Sequence, residues 1–247
     1  MLIHKALVLH ARDKPLALET VPRPVASSGD AIVRILAADI VPYMGDRNAT
    51  YAEYARFPLE NLHPLNEELL LENLGYSNSD LCLIPLCVSS RLGGCRRLKL
   101  KPARWPLLST TGQYGGSAVD IALAMAATVI AAGRNSAALE NLQKTHGTRR
   151  LRIVQLTDDT MENTELFRET GGKPDGVDVY LDLSPPAIQG SAMLAAGIRA
   201  LRAFGRCVVL GGTSGNVEFP YLEIMFKSIR IQGRFMLIES MCCRYFR

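Results

Sequence analysis

Residues 107–117 read Leu-Leu-Ser-Thr-Thr-Gly-Gln-Tyr-Gly-Gly-Ser: a short apolar run, a turn of small residues, and the start of a helical pattern. A strand, a glycine turn and a helix in this order expose backbone N–H groups and the positive end of a helix dipole, which suits a phosphate group. In the G-x-G-x-x-G fingerprint, the first glycine makes the tight turn. The second lets the backbone approach a pyrophosphate, and the third lets the helix pack closely on the strand. Thr110 occupies the first place here, while Gly112 and Gly115 hold the second and third, with Gln113 and Tyr114 between them. The substitution thus touches the turn and leaves the approach and the packing. A glycine-rich turn without a ligand has the same local signature, so the motif needs context.

Context comes from the spacing. A dinucleotide-binding domain places the residue that reads the ribose about 20 positions beyond the glycines, at the end of the second strand. That count leads to Gly133-Arg134-Asn135, directly after the apolar run 128–132. An acidic residue there would accept hydrogen bonds from the ribose hydroxyls of NAD, and none is present. Arg134 offers a planar fork suited to a 2′-phosphate, so NADP(H) is expected over NAD(H). A surface arginine following a strand is the plain alternative.

The elements that must position these residues follow a regular alternation. Residues 117–127 read as a helix with little polar surface, 128–132 as a buried strand, and 137–145 as a polar helix. Next come a strand at 151–156, a helix at 159–170, a strand at 177–183, a helix at 188–203 and a strand at 207–210. Residues 228–236 are strand-like. Short apolar strands alternating with helices predict a parallel sheet covered on both faces. The weak place is 101–106, Lys-Pro-Ala-Arg-Trp-Pro, where each proline removes a ladder donor from the expected first strand. Upstream, 5–9 and 31–36 are strand-like, while 51–65 and 67–74 carry apolar and helix-forming positions.

Composition narrows the function classes. The net charge is only +4, although Arg91, Arg96, Arg97, Lys99, Lys101 and Arg104 cluster. With no aromatic interleaving, the cluster reads as a solvated face, and no nucleic acid is expected as a partner. The longest mostly apolar run, 121–132, is shorter than the roughly 20 residues a bilayer needs, and the start lacks the pattern of a secretory signal. The six cysteines form no C-x-x-C pair and the four histidines are scattered, so the reading is a cytoplasmic protein with reduced thiols and no metal site.

Taken in order, TTGQYGGSAVDIALAMAATVIAAGRN (110–135), GVDVYLDL (176–183), LRAFGRCVVLGG (201–212) and KSIRIQGRF (227–235) resemble the cofactor domain of the medium-chain dehydrogenases/reductases. The opening 5–40 resembles that family's GroES-like catalytic domain, and 51–65 resembles the segment that closes it. The resemblance implies an α/β fold, a Rossmann-type doubly wound parallel sheet with a partial N-terminal GroES-like β-rich domain. The expected boundaries are 1–90 for the GroES-like part and 91–240 for the dinucleotide-binding part. It also implies hydride transfer between NAD(P)H and a small carbonyl, alcohol or activated alkene. By match of position, Gly112, Gln113, Tyr114, Gly115, Gly133, Arg134, Asn135, Gly211 and Gly212 would line the cofactor.

The departures from that family are specific. Val41 stands where zinc-dependent members carry a cysteine ligand, and a valine cannot bind zinc. The glycine-histidine-glutamate segment and the four-cysteine zinc lobe are missing. The sequence passes from Gly45 almost directly to Tyr51 and stops at Arg247 soon after the strand-like 228–236, so a shortened family member is expected. The leading expectation is a zinc-independent NADP(H) oxidoreductase similar to quinone or enoyl reductases, acting on a small-molecule substrate, with a homodimer as the assembly to test. The alternative is a non-catalytic remnant that at most binds the dinucleotide or a partner. Tyr43 and Tyr51 are the phenols near the shortened cleft, and neither is assigned a catalytic role.

Overall fold

The structure, a computed structural model, describes residues 2–8, 10, 14–37, 51–62, 64–82, 106–109, 112–172, 175–184, 192–211 and 216–233, apart from the side chains of 61, 106–114 and 192. Two compact units emerge, whose described residues lie within 2–82 and 106–233.

In the first unit, β1 (Ile3–Val8) pairs antiparallel with β2 (Ala17–Pro22), and β3 (Asp30–Arg34) pairs antiparallel with β4 (Tyr54–Pro58). The run before β4 also touches β1: Glu53 donates its N–H to the Lys5 carbonyl at 3.0 Å, and Leu7 donates to Tyr51 at 2.8 Å. The helix-forming reading of 51–65 is therefore corrected to a strand and a single 3-10 turn, Leu59–Asn61. Aromatic residues at Tyr54 and Phe57 suit a pleated surface, and the side chains around β4 fix it there. His4 accepts the Tyr54 N–H on Nδ1 at 3.2 Å, and the Arg23 guanidinium lies 3.6 Å from the centre of the Tyr54 ring. A π-helical stretch (Glu68–Asn73) and the short α1 (Asn78–Cys82) follow. Among the described residues of this unit only His4 and Ala55 are buried.

The second unit contains a six-stranded sheet: β5 (Pro106–Ser109), β6 (Val129–Gly133), β7 (Leu151–Gln155), β8 (Val177–Asp182), β9 (Leu201–Val209) and β10 (Arg230–Gly233). The spatial order is β10-β9-β8-β5-β6-β7, and every pairing is parallel. The helices are α2 (Gly112–Ala124), α3 (Ser136–His146), α4 (Thr160–Gly171), α5 (Ala192–Arg199) and α6 (Tyr221–Phe226). Successive strand residues feed opposite cores, as a period of two requires. Val129 and Ala131 join Val119, Ala122 and Leu139 from α2 and α3. Ile130 and Ala132 join Phe167 of α4 and Leu194 and Ile198 of α5. This is the doubly wound Rossmann-type arrangement expected from the sequence.

Several boundaries shift for local reasons. The proline-rich 101–105 lies outside the described residues, and the central strand begins at Pro106, the first strand position, where a missing N–H costs least. The helix after the glycines starts at Gly112 instead of 117. Residues 201–203, expected as helix, belong to β9: Val177 donates to the Ala200 carbonyl just before it at 2.8 Å, and Arg202 Nε reaches Oδ1 of the buried Asp178 at 2.6 Å. The end of α5 is held from two other elements. Lys227 Nζ donates to the carbonyls of Arg199 and Leu201 at 2.7 and 2.9 Å, and Arg168 Nη2 of α4 reaches the Arg199 carbonyl at 3.0 Å. Burial holds the Lys227 amine below the usual lysine range, and the neighbouring Arg168 charge pushes the same way.

Each fully buried aliphatic side chain contributes about 1.5–3 kcal/mol, and the sheet unit holds all the fully buried ones among the described residues. Amides of β6, β8 and β9 should therefore exchange at least about tenfold more slowly than those of β1–β4, a gap of roughly 1.4 kcal/mol or more in local opening. Hydrogen exchange resolved along the chain checks this; equal protection would mean that the first unit has a core of comparable strength.

Candidate functional site

The strand order reverses at β5, which has β6 on one side and β8 on the other. In open parallel sheets a crevice forms at such a reversal, outside the C-terminal ends of the strands. Those ends are Ser109, Gly133, Asp182 and Val209. Of the expected site residues, Gly112, Gln113, Tyr114 and Gly115 form the first turn of α2, directly after β5, and Gly115 is buried. Thr110 and Gly212 lie outside the described residues.

Gly133 closes β6, buried, with its carbonyl accepting the Leu156 N–H at 2.9 Å. Arg134 follows, exposed to solvent. Asn135 is the N-cap of α3, and its Oδ1 accepts the Ala138 N–H at 3.1 Å. That cap is worth about 1 kcal/mol and uses the side-chain oxygen of Asn135 within the fold. Arg134 is thus the charged side chain that this turn offers outward.

On the other side of the reversal sits a group that belongs to none of the glycine motifs. Asp182, the last residue of β8, is 2% exposed. Its Oδ1 accepts hydrogen bonds from Ser184 Oγ at 2.6 Å, Tyr180 Oη at 3.0 Å and, at 3.4 Å, the Ser184 backbone N–H. The Asp182 carbonyl accepts the Leu210 N–H at 2.9 Å, tying β8 to the end of β9. Gly211 follows at close range: a Cβ there would lie 2.7 Å from the Ser184 carbonyl oxygen and 2.9 Å from Asp182 Oδ2. Gly211, expected from the sequence as a cofactor-lining residue, therefore also has a packing reason to lack a side chain. The Tyr180 ring is seated by another glycine, Gly197 of α5, where a Cβ would come within 2.6 Å of ring carbons. The available signal in the sequence was a pair of acidic residues, Asp178 and Asp182, in a strand whose other positions are apolar or aromatic.

Tyr180 is fully buried, and its phenol is held well above the ordinary tyrosine range, by burial first and by the Asp182 charge second. Burial, with the same carboxylate, also pushes up the thiol of Cys207, its neighbour in register on β9. Both stay protonated at neutral pH, which suits Tyr180 as a donor to Asp182. Tyr51 is exposed in the first unit, with its carbonyl in the Leu7 hydrogen bond, and Tyr43 lies outside the described residues.

The described metal-ligating side chains are engaged separately: His4 with the Tyr54 amide, His10 with Glu19 at 2.5 Å, and His146 with Asp120 at 2.8 Å. Among the described residues, no three of His, Cys, Asp or Glu come together as a metal-binding group. His63 and Val41 lie outside that set. No helix among the described residues is long and apolar enough to cross a membrane.

A family model described as zinc-binding dehydrogenase matches residues 115–242, just over half of the chain. No sequence among the curated proteins matches it. Solved structures share the fold at low identity. An NAD-dependent alcohol dehydrogenase has a TM-score of 0.74 at 19% identity, covering 98% of this chain and 88% of that one. An alcohol dehydrogenase superfamily protein from Novosphingobium aromaticivorans has a TM-score of 0.72 at 17% identity, covering 95% and 79%. The acetophenone reductase of Geotrichum candidum NBRC 4597, solved in complex with NAD, has a TM-score of 0.72 at 14% identity, covering 99% and 86%.

An acid whose folded pKa is raised stays protonated in the fold. The contribution of Tyr180 to stability is therefore intact below about pH 10 and is lost as the pH rises above that value, where the unfolded chain can ionise it. In a spectrophotometric titration, one of the eight tyrosines should ionise late, together with unfolding, and Tyr180→Phe should remove that step. A late step that persists in the variant would assign it to another tyrosine.

Proposed function

The chain belongs to the zinc-binding dehydrogenase family, within the medium-chain dehydrogenases/reductases, and on that premise we propose that it is a zinc-independent oxidoreductase using NADP(H) in preference to NAD(H). The family is one of alcohol-dehydrogenase-like oxidoreductases. The proposed substrate is a small carbonyl, quinone or activated alkene.

The observation that carries the cofactor preference is Arg134, exposed at the end of β6 with no acidic residue in Gly133-Arg134-Asn135. A guanidinium there would pair with a 2′-phosphate, whereas an NAD site needs an acceptor for the ribose hydroxyls. The first turn of α2, with Gly112, Gln113, Tyr114 and Gly115, would hold the pyrophosphate through backbone N–H groups. Gly211 and Gly212 would lie on the far side of the reversal. A bound nicotinamide supplies the hydride chemistry; this chain's residues bind, orient and screen it from water. An NAD-dependent alcohol dehydrogenase and an acetophenone reductase solved in complex with NAD share this fold, which makes NADH the natural competitor in any test.

Support for zinc independence comes from Val41 at the position of a cysteine ligand and from the separate engagement of the described histidines. The donors described do not fit a zinc ion, and no step is assigned to one. Elemental analysis of protein purified without chelators should show no stoichiometric zinc; one zinc per chain would overturn this part of the reading.

Fluorescence titration should show tighter binding of NADPH than NADH. Charge-assisted hydrogen bonds are worth about 1.5–3 kcal/mol, so Arg134→Ala should weaken NADPH by roughly tenfold or more and leave NADH nearly unchanged. Equal affinities in the unmodified protein would overturn the preference. Binding of NADPH without its oxidation by any of a panel of quinones and enones would favour a non-catalytic binder.

A further inference from the structure

The Asp182 network has a cost that the packing of the sheet does not explain. A carboxylate 2% exposed gives up its hydration, and an apolar residue would serve a sheet interior at lower cost. What the carboxylate provides is a fixed arrangement of two strand exits. Through Oδ1 it holds Ser184, the second residue past β8, by side chain and backbone. Its carbonyl takes the Leu210 N–H, and its Oδ2 borders the site where Gly211 leaves no room for a side chain. Tyr180, wedged against Gly197, fixes the carboxylate in turn.

A doubly wound sheet binds a dinucleotide as two halves, one on each side of the reversal. The β5–β7 half carries Arg134 at the ribose-reading position, so it takes the adenosine side. The β8–β10 half then takes the nicotinamide side, and its two exits next to the reversal are those that Asp182 ties together. Resting on the dinucleotide reading above, we infer that Asp182 is a positioning residue that fixes the nicotinamide half of the crevice without contributing to the adenosine half. Tyr180 and Cys207, both kept protonated by burial, surround the carboxylate with neutral groups, so no competing anion loosens the arrangement.

The test uses the full chain and two probes: NADPH, and adenosine 2′,5′-bisphosphate, which carries the adenosine side alone. Asp182→Ala should bind the bisphosphate like the unmodified protein but bind NADPH about tenfold more weakly. Asp182→Asn, whose amide oxygen can still accept from Tyr180 and Ser184, should restore most of the loss. Ser184→Ala, which removes one hydroxyl and leaves the core intact, should show a smaller loss with the same selectivity; it carries the test if Asp182→Ala does not fold. An equal loss on both probes means a general structural role and overturns the inference, as does NADPH binding unchanged in the variants. An unmodified protein that binds neither probe overturns the dinucleotide reading and this inference with it. Normal binding by the unmodified protein with indifferent variants overturns this inference alone.

Discussion

A parallel sheet with crossover helices on both sides has to bury both faces, so its central strands are predominantly apolar. Burying both faces is the constraint on which the rest of this structure depends. It makes β6 a run of five buried residues, and it sorts alternate positions of that strand into two separate cores. It also places β5, only four residues long, at the centre with a neighbour on each side. From that placement follows the reversal of strand order, which brings the first turn of α2, Arg134 and the Asp182 network to the same edge of one sheet.

The two sides of the reversal solve different physical problems. On the β6 side, Asn135 satisfies the helix start, so Arg134 is the charged group left facing outward. On the β8 side the polar groups turn inward, and a buried carboxylate collects three donors. One side offers charge to solvent and the other spends it on internal order. A ligand spanning both would meet an electrostatic contact at one end and a shaped, rigid wall at the other.

The strands with continuous apolar runs were legible in the sequence to within a residue or so: 129–133, 151–155 and 177–182 needed no tertiary information. Residues 51–65 were not, because β4 is a strand by virtue of its pairing with the distant β3, Asp30–Arg34, and Glu53 just before it bonds the still more distant Lys5, so local helix propensity lost to that pairing. Residues 201–203 misled in the same way, since they belong to β9, where Arg202 pairs with Asp178 of the neighbouring strand. The place of Gly133 and Arg134 at the end of β6 was readable by spacing alone. Asp182 was not, because its role arises from two strand ends that meet only in space. Gly211 was readable as a glycine but not for its packing: the Cβ it forgoes would collide with atoms almost 30 residues earlier.

The end of α5 illustrates a different kind of dependence. Its final carbonyl receives a guanidinium from α4 and an ammonium from the turn after α6, while that same ammonium reaches the first residue of β9. Four elements, of which α5 and β9 are consecutive and the other two lie before and after them in the chain, therefore share one small knot of charge and carbonyl oxygen. Fraying that begins at any one of them removes a partner from the others, so this corner should open as a single cooperative block. A sequence drifting at Lys227 could not do so alone: Arg168 and the carbonyls around Arg199 and Leu201 would have to find new partners at the same time.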